Sequence, residues 1–230
     1  MTLGLATATS TLSVAIVEHG RVIASATAGR HNVHDDLLIP FCRDVVTWTG
    51  RAFDDIQQVA VTSGPGSYTG LRIGMAAGKG ICLALNIPLV PVPTCDAIAF
   101  AATRMNIVGA LHIGVFLDAK NDEVYAATYL AENGCFAAEH APAILPAMQA
   151  ATRLRDASVL LGDGSKRVAA YCSAHVRLPI AMDDVPHAVD VALLGEINRS
   201  DSTRGDVAEA EPNYMRDFPV KPARNMLSGQ

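Results

Sequence analysis

Basic residues are in deficit in this chain: 18 Lys and Arg stand against 23 Asp and Glu, for a net charge of −5 and a pI near 5.8. Holding a phosphate backbone takes a basic footprint. The sequence therefore argues against an autonomous nucleic-acid binder, though not against a protein that works beside one. Long apolar runs are missing too. No stretch approaches the ~20 residues of a spanning helix, and Met1–Ala6 carries no positive charge ahead of its apolar residues, which argues against a signal peptide. No C-x-x-C pair exists among Cys42, Cys82, Cys95, Cys135 and Cys172, so neither a zinc site nor a disulfide framework is suggested. Free buried thiols in a reducing cytoplasm are the expectation. Aromatic residues are only 5% of the chain, yet half of it is apolar and mean hydropathy is +0.24. Global disorder is thereby excluded, and 230 residues supply one large core or two small ones.

What is present reads first as β structure. Leu3–Thr7, Leu12–Val17 and the run from Val22 form three short strands, with a turn at His19-Gly20. From His34 to Trp48, Leu38, Phe41, Val45 and Trp48 recur three or four apart and predict a helix. Pro40 must sit in its first turn or kink it. A buried strand at Val59–Thr62, a helix over Leu71–Leu85, a strand at Pro88–Val92 and a helix capped by Thr94 follow. An antiparallel meander followed by parallel βαβα is the order of the ribonuclease-H-like fold. A second unit begins near Ala110, with strands at His112–Leu117, Glu123–Tyr129 and Ser158–Leu161. Helices are predicted at Leu145–Leu154, Ser165–Cys172 and Ala188–Asn198. The expected division is 1–109, 110–216 and a tail at 217–230.

The loop Ser63-Gly64-Pro65-Gly66-Ser67-Tyr68-Thr69-Gly70 is the most informative segment. Glycines and hydroxyls between strand and helix suit either an anion cradle at a helix N-terminus or a tight turn capped by Thr69. No complete phosphate-loop pattern is present. Behind it, Gly70, Gly74 and Gly78 recur every four residues. Each interior glycine costs about 0.5–1 kcal/mol against alanine, so close approach of another backbone is implied. That backbone belongs either to the chain's own sheet or to a partner helix. The partner is preferred, because the one tryptophan lies on the neighbouring helix with Phe41. No catalytic residue and no metal site is assigned. His31 and His34 beside Asp35 and Asp36 match no metal motif, and His34 reads as a helix-start cap or surface residue. Asp118 and Glu123 read as turn chemistry, although acid/base work or Mg²⁺ binding is the alternative.

These residues resemble the bacterial TsaB (YeaZ) family of tRNA threonylcarbamoyladenosine biosynthesis proteins. Ser63–Gly74 is similar to that family's G-P-G-S-[FY]-T-G-[LV]-R-I-G signature. His34–Pro40 is similar to its H-S-x-x-L-L-P, Asp118–Tyr125 to its D-A-R-x-x-E-V-Y, and Glu211–Arg216 to its P-x-Y-L-R. The resemblance implies an actin-like ATPase (ASKHA) fold of two ribonuclease-H-like lobes, mixed sheets flanked by helices. It implies a cytoplasmic, non-catalytic subunit that binds and stabilises the catalytic paralogue TsaD, with the ATPase TsaE joining them. A homodimer through the same surface is also implied, and tRNA is met indirectly through the complex. The interface expected is His34, Leu37, Phe41, Val45 and Trp48 on the first long helix, with Leu71, Gly74, Met75 and Gly78 on the second. Gly64, Pro65, Gly66, Ser67, Thr69, Gly70 and Arg72 form the signature loop and a candidate phosphate approach. No cofactor is expected to bind tightly, and ATP or ADP with Mg²⁺ is expected only at the junction with partners. One departure matters: the family's first strand carries L-D-T-[AS], whereas Ala6 precedes Thr7 here. That argues against the rival reading of an autonomous ATPase or kinase. A peptidase is the second rival, and no metal motif or nucleophile–base pair supports it.

Overall fold

The computed structural model describes residues 1–29, 33–104, 110–155, 158–172, 187–199 and 207–216. The first half is built on a five-stranded sheet, ordered β3-β2-β1-β4-β5, of β1 (Thr2–Ala6), β2 (Leu12–Glu18), β3 (Arg21–Ala28), β4 (Gln58–Gly64) and β5 (Leu89–Pro93). β1 and β2 run antiparallel, as do β2 and β3, while β1–β4 and β4–β5 are parallel. Helices α1 (His34–Trp48) and α2 (Tyr68–Leu85) cover one face. Leu3, Leu5, Val14, Ile16, Val59, Val61 and Leu89 form the core beneath them. Alternate residues of the same strands, Ala6, Ala15, Ala60 and Val90, meet helix α6 (Ala188–Ile197) on the other face. That face is made of small side chains because α6 lies almost on the strands. A methyl group at Gly4 would collide with the Ala188 carbonyl, and one at Gly195 would come within 2.5 Å of the Ala60 Cβ.

The second half repeats the topology with one strand fewer among the described residues. Its sheet is ordered β8-β7-β6-β9, from β6 (Leu111–Asp118), β7 (Glu123–Glu132), β8 (Cys135–Pro146) and β9 (Val159–Leu161). Phe116, Val124, Ala126 and Leu160 face α4 (Ala147–Ala151) and α5 (Ser165–Ala169). Ile113, Val115, Leu117, Ala127 and Tyr129 face helix α3 (Thr94–Thr103) of the first half. α3 thus supplies one wall to each core. The Tyr129 hydroxyl donates to Asp96 Oδ1 at 2.7 Å across this junction.

Each half has the ribonuclease-H-like order, and together they make the actin-like ATPase fold. Four expectations change. Pro40 lies in the second turn of α1, past the first. The carbonyl it leaves without a helical donor belongs to exposed Asp36 and faces water. Thr94 is the first residue of α3 and makes no cap bond; Pro93 holds the cap position. The helix expected over 145–154 is only the five residues of α4, because β8 runs through Leu145 to Pro146. α6, on the far side of the expected boundary, packs on the first sheet. The boundary at 109 and the tail at 217–230 lie outside the described residues.

Candidate functional site

The signature loop leaves β4 at Gly64 and enters α2 at Tyr68, through a cis Gly64–Pro65 peptide. Gly64 (φ 118°) and Gly66 (φ 152°) adopt backbone angles open to glycine. Both also lie where a side chain would strike backbone: the Asn213 carbonyl at Gly64 and the Ala8 carbonyl at Gly66. The Ser67 amide donates to the Ala8 carbonyl at 2.6 Å. The Ser67 Oγ accepts from the Gly70 amide at 3.2 Å, so Ser67, rather than Thr69, caps the helix. The Ser67 amide and the space beside Gly66 are thus taken by the β1–β2 turn of the same chain, and the Gly70 amide by the Ser67 cap. A methyl group at Gly70 would strike the Thr7 carbonyl, and one at Gly74 the Thr7 hydroxyl. At Gly78 it would press on Leu89 at 3.1 Å. The Gly70-Gly74-Gly78 stripe therefore seats α2 on its own sheet, and the preference for a partner helix along it is corrected. The loop does not fit a nucleotide held by this chain alone: its cradle is filled, and Ala6 offers no carboxylate for Mg²⁺.

The expected interface divides in the same way. His34, Val45, Leu71, Gly74, Met75 and Gly78 are buried, and Leu37 and Phe41 are half-buried against the core. Trp48 alone of the nine is open, at 61% exposure. The outward face of α2 lies a fraction of a turn away, along Ala76, Gly80, Leu83 and Ala84, all exposed. Leu83 is 61% exposed, and Ile39 on α1 is 48% exposed. A Cβ on Gly80 would meet nothing within 4 Å. In the sequence, Gly80 counts among the small residues of this helix without being separated from the Gly70-Gly74-Gly78 stripe, although the recurrence of Ala76, Gly80 and Ala84 at four-residue intervals was available as a signal.

His34 is neither a cap nor a surface residue. Burial holds its pKa below the ordinary 6.5, against hydrogen bonds to the Thr9 and Thr11 backbone that raise it. His31 lies outside the described residues. Among the described residues, no group of three or more His, Cys, Asp or Glu comes together as a metal cage. Cys42, Cys82 and Cys95 are buried, and burial pushes the first two thiols up to about 12; Cys135 is exposed and Cys172 half-buried. Arg72 stands exposed over the Tyr68 ring, 4.4 Å from its centre, and donates to the Tyr214 hydroxyl at 3.2 Å.

Asp118 closes the β6–β7 turn. Its Oδ1 accepts from the Lys120 amide at 3.0 Å and from Arg167 at 2.8 Å, and its Oδ2 accepts from the Lys120 ammonium at 2.7 Å. Burial works against the carboxylate, but Lys120 and Arg167 outweigh it and hold the carboxyl at about 2. Lys120, Asn121 and Asp122 are all left-handed, at φ 65°, 52° and 61°. Asp118 thus holds a turn that L-residues resist.

The family model described as TsaD, tRNA N6-adenosine threonylcarbamoyltransferase, matches residues 21–208. The Escherichia coli K12 tRNA threonylcarbamoyladenosine biosynthesis protein TsaB is 31% identical over 227 residues, covering 94% of each chain. The Bacillus subtilis protein of the same name is 30% identical over 132 residues, covering 57% of this chain and 56% of its own. A Pseudomonas aeruginosa crystal structure, described as an uncharacterized protein with similarity to peptidase YeaZ, superposes with a TM-score of 0.81. It is 27% identical and covers 94% of this chain and 99% of its own.

Proposed function

The chain belongs to the TsaB family and takes part in tRNA threonylcarbamoyladenosine biosynthesis, and on that premise we propose that it is a non-catalytic scaffold subunit that binds and stabilises TsaD. The observation that carries this reading is Gly80. It sits inside an 18-residue helix with empty space where its Cβ would be. In the free chain, nothing offsets the roughly 0.5–1 kcal/mol that an interior glycine costs. A helix packed against the Ala76-Gly80-Ala84 row would use that space, and Leu83, Trp48 and Ile39 would lose their exposed area in the same contact. Each such side chain, fully buried, is worth about 1.5–3 kcal/mol.

TsaD is the occupant this reading assigns, through its own pair of helices, because the two chains are similar along most of this one. The same face serves a homodimer when TsaD is absent, and TsaE joins the assembled pair. Any ATP or ADP with Mg²⁺ then sits at the junction with these partners. A net charge of −5 leaves tRNA contact chiefly to the partner, in the cytoplasm. An ATPase acting alone is the weaker reading, given Ala6 and the filled loop.

The test is reconstitution. Threonylcarbamoylation of tRNA is measured with TsaD and TsaE, with and without this chain, alongside size-exclusion of the mixture. Co-elution and loss of product on omitting the chain are expected. Separate elution, with product formation unchanged without the chain, would sink the proposal.

A further inference from the structure

Residues 207–216 cross from one half of the molecule to the other. Val207 is buried in the first core and Ala210 packs against it. The Lys79 ammonium of α2 donates to the Ala208 carbonyl at 2.8 Å. The Asn213 amide donates to the Ser63 carbonyl at 2.6 Å, and its own carbonyl fills the space beside Gly64. Tyr214 lies against Tyr68, their ring centres 4.7 Å apart at 43°, and takes the Arg72 hydrogen bond. Met215 then packs on the second core, and Arg216 pairs with Glu123 of β7. The segment thus fastens the β4–α2 loop to the second sheet.

The two ends differ in kind. Val207 is 6% exposed, whereas every residue from 208 to 216 is exposed or half-buried. Lys79 and the first core still hold Ala208 and Ala210, but from residue 211 to 216 the contacts among the described residues are one backbone bond to β4, the Tyr214 ring contact with its Arg72 hydrogen bond, one methionine side chain and one ion pair whose partners are 31% and 33% exposed. Contacts so few and so open to water belong to the low-stability end of a fold, where segments detach without global unfolding. α3, buried against both sheets, holds the halves together in any case.

We propose that residues 211–216 form a releasable clasp between the halves, hinged at Val207, whose detachment frees the first turn of α2 from the second sheet. This does not rest on the partner reading. Native-state hydrogen exchange on the full chain tests it, comparing wild type with Glu123→Gln and with the Tyr214→Ala, Arg216→Ala double variant. In wild type the Asn213 amide is expected to exchange at least about tenfold faster than β1, β2 and β6 amides, and faster still at high salt. Glu123→Gln should speed it again, and the double variant by about tenfold or more, with core amides unchanged. Exchange of Asn213 in step with the core, or loss of core protection in either variant, would make the segment an integral part of the fold and overturn the clasp. Wild-type exchange in both variants would also overturn it.

Discussion

Asp118 shows how one side chain sets a pH dependence. Its carboxyl sits at about 2 in the folded chain against an ordinary 3.8. A depressed acid stabilises the fold above the ordinary value, and that stabilisation fades as pH falls through the folded one. Lys120 is 81% exposed, so water screens the pair, and the contribution is on the order of 1 kcal/mol, complete above about pH 5 and lost as pH falls through about 2. Urea unfolding between about pH 2 and 7 measures it. Asp118→Asn should lower stability at neutral pH by about 1 kcal/mol and flatten the slope below about pH 5. At the same scale, Gly70→Ala and Gly74→Ala should each cost about 1–3 kcal/mol, since neither the Thr7 backbone nor its β-branched side chain can give way cheaply. Equal stability in those variants would mean that α2 is seated less closely on β1. The spacing of Gly70, Gly74 and Gly78 revealed close approach, but not to what. A glycine stripe reads the same whether the facing backbone is the chain's own or another's, and only β1 coming to lie beneath α2 decides it. His34 was misread for a related reason: the Thr9 and Thr11 backbone that receives it is more than twenty residues away in sequence.

At the scale of elements, the strongly patterned segments were legible. The apolar spacing of 34–48 coincides with α1, and the β-branched runs coincide with β2 and β4. What escaped notice was β8, twelve residues at a sheet edge. Pro142, Pro146 and scattered alanines leave it Ile144 as its one β-branched residue, and an edge strand tolerates the prolines because one side of its backbone needs no partner. The outward row of α2 was overlooked because the inward row is richer in glycine. Once the inward row is assigned to the sheet, Gly80 is the interior glycine of α2 without an internal reason. The proposed partner-facing role of Gly80 therefore separates cleanly from folding, which Gly74 cannot offer.

Across the whole molecule, the order of elements carried the fold: meander, parallel crossover, then a second meander. The single-chain division into 1–109 and 110–216 did not anticipate that α6 returns to the first sheet. No local pattern reports which sheet a helix apolar on nearly every side, with Asp190 and Glu196 as its only charges, will join. The loop that looked like a phosphate cradle turns out to pack against the chain's own β1–β2 turn, at Thr7 and Ala8. What remains outward is an apolar helical face, and the account stands on that face meeting TsaD. Titration of TsaD with the wild-type chain and with Gly80→Leu tests this most directly. The account predicts a one-to-one complex whose Kd rises at least about tenfold in the variant, while the free variant unfolds at or above the wild-type midpoint. Wild-type affinity in a folded Gly80→Leu chain would contradict it.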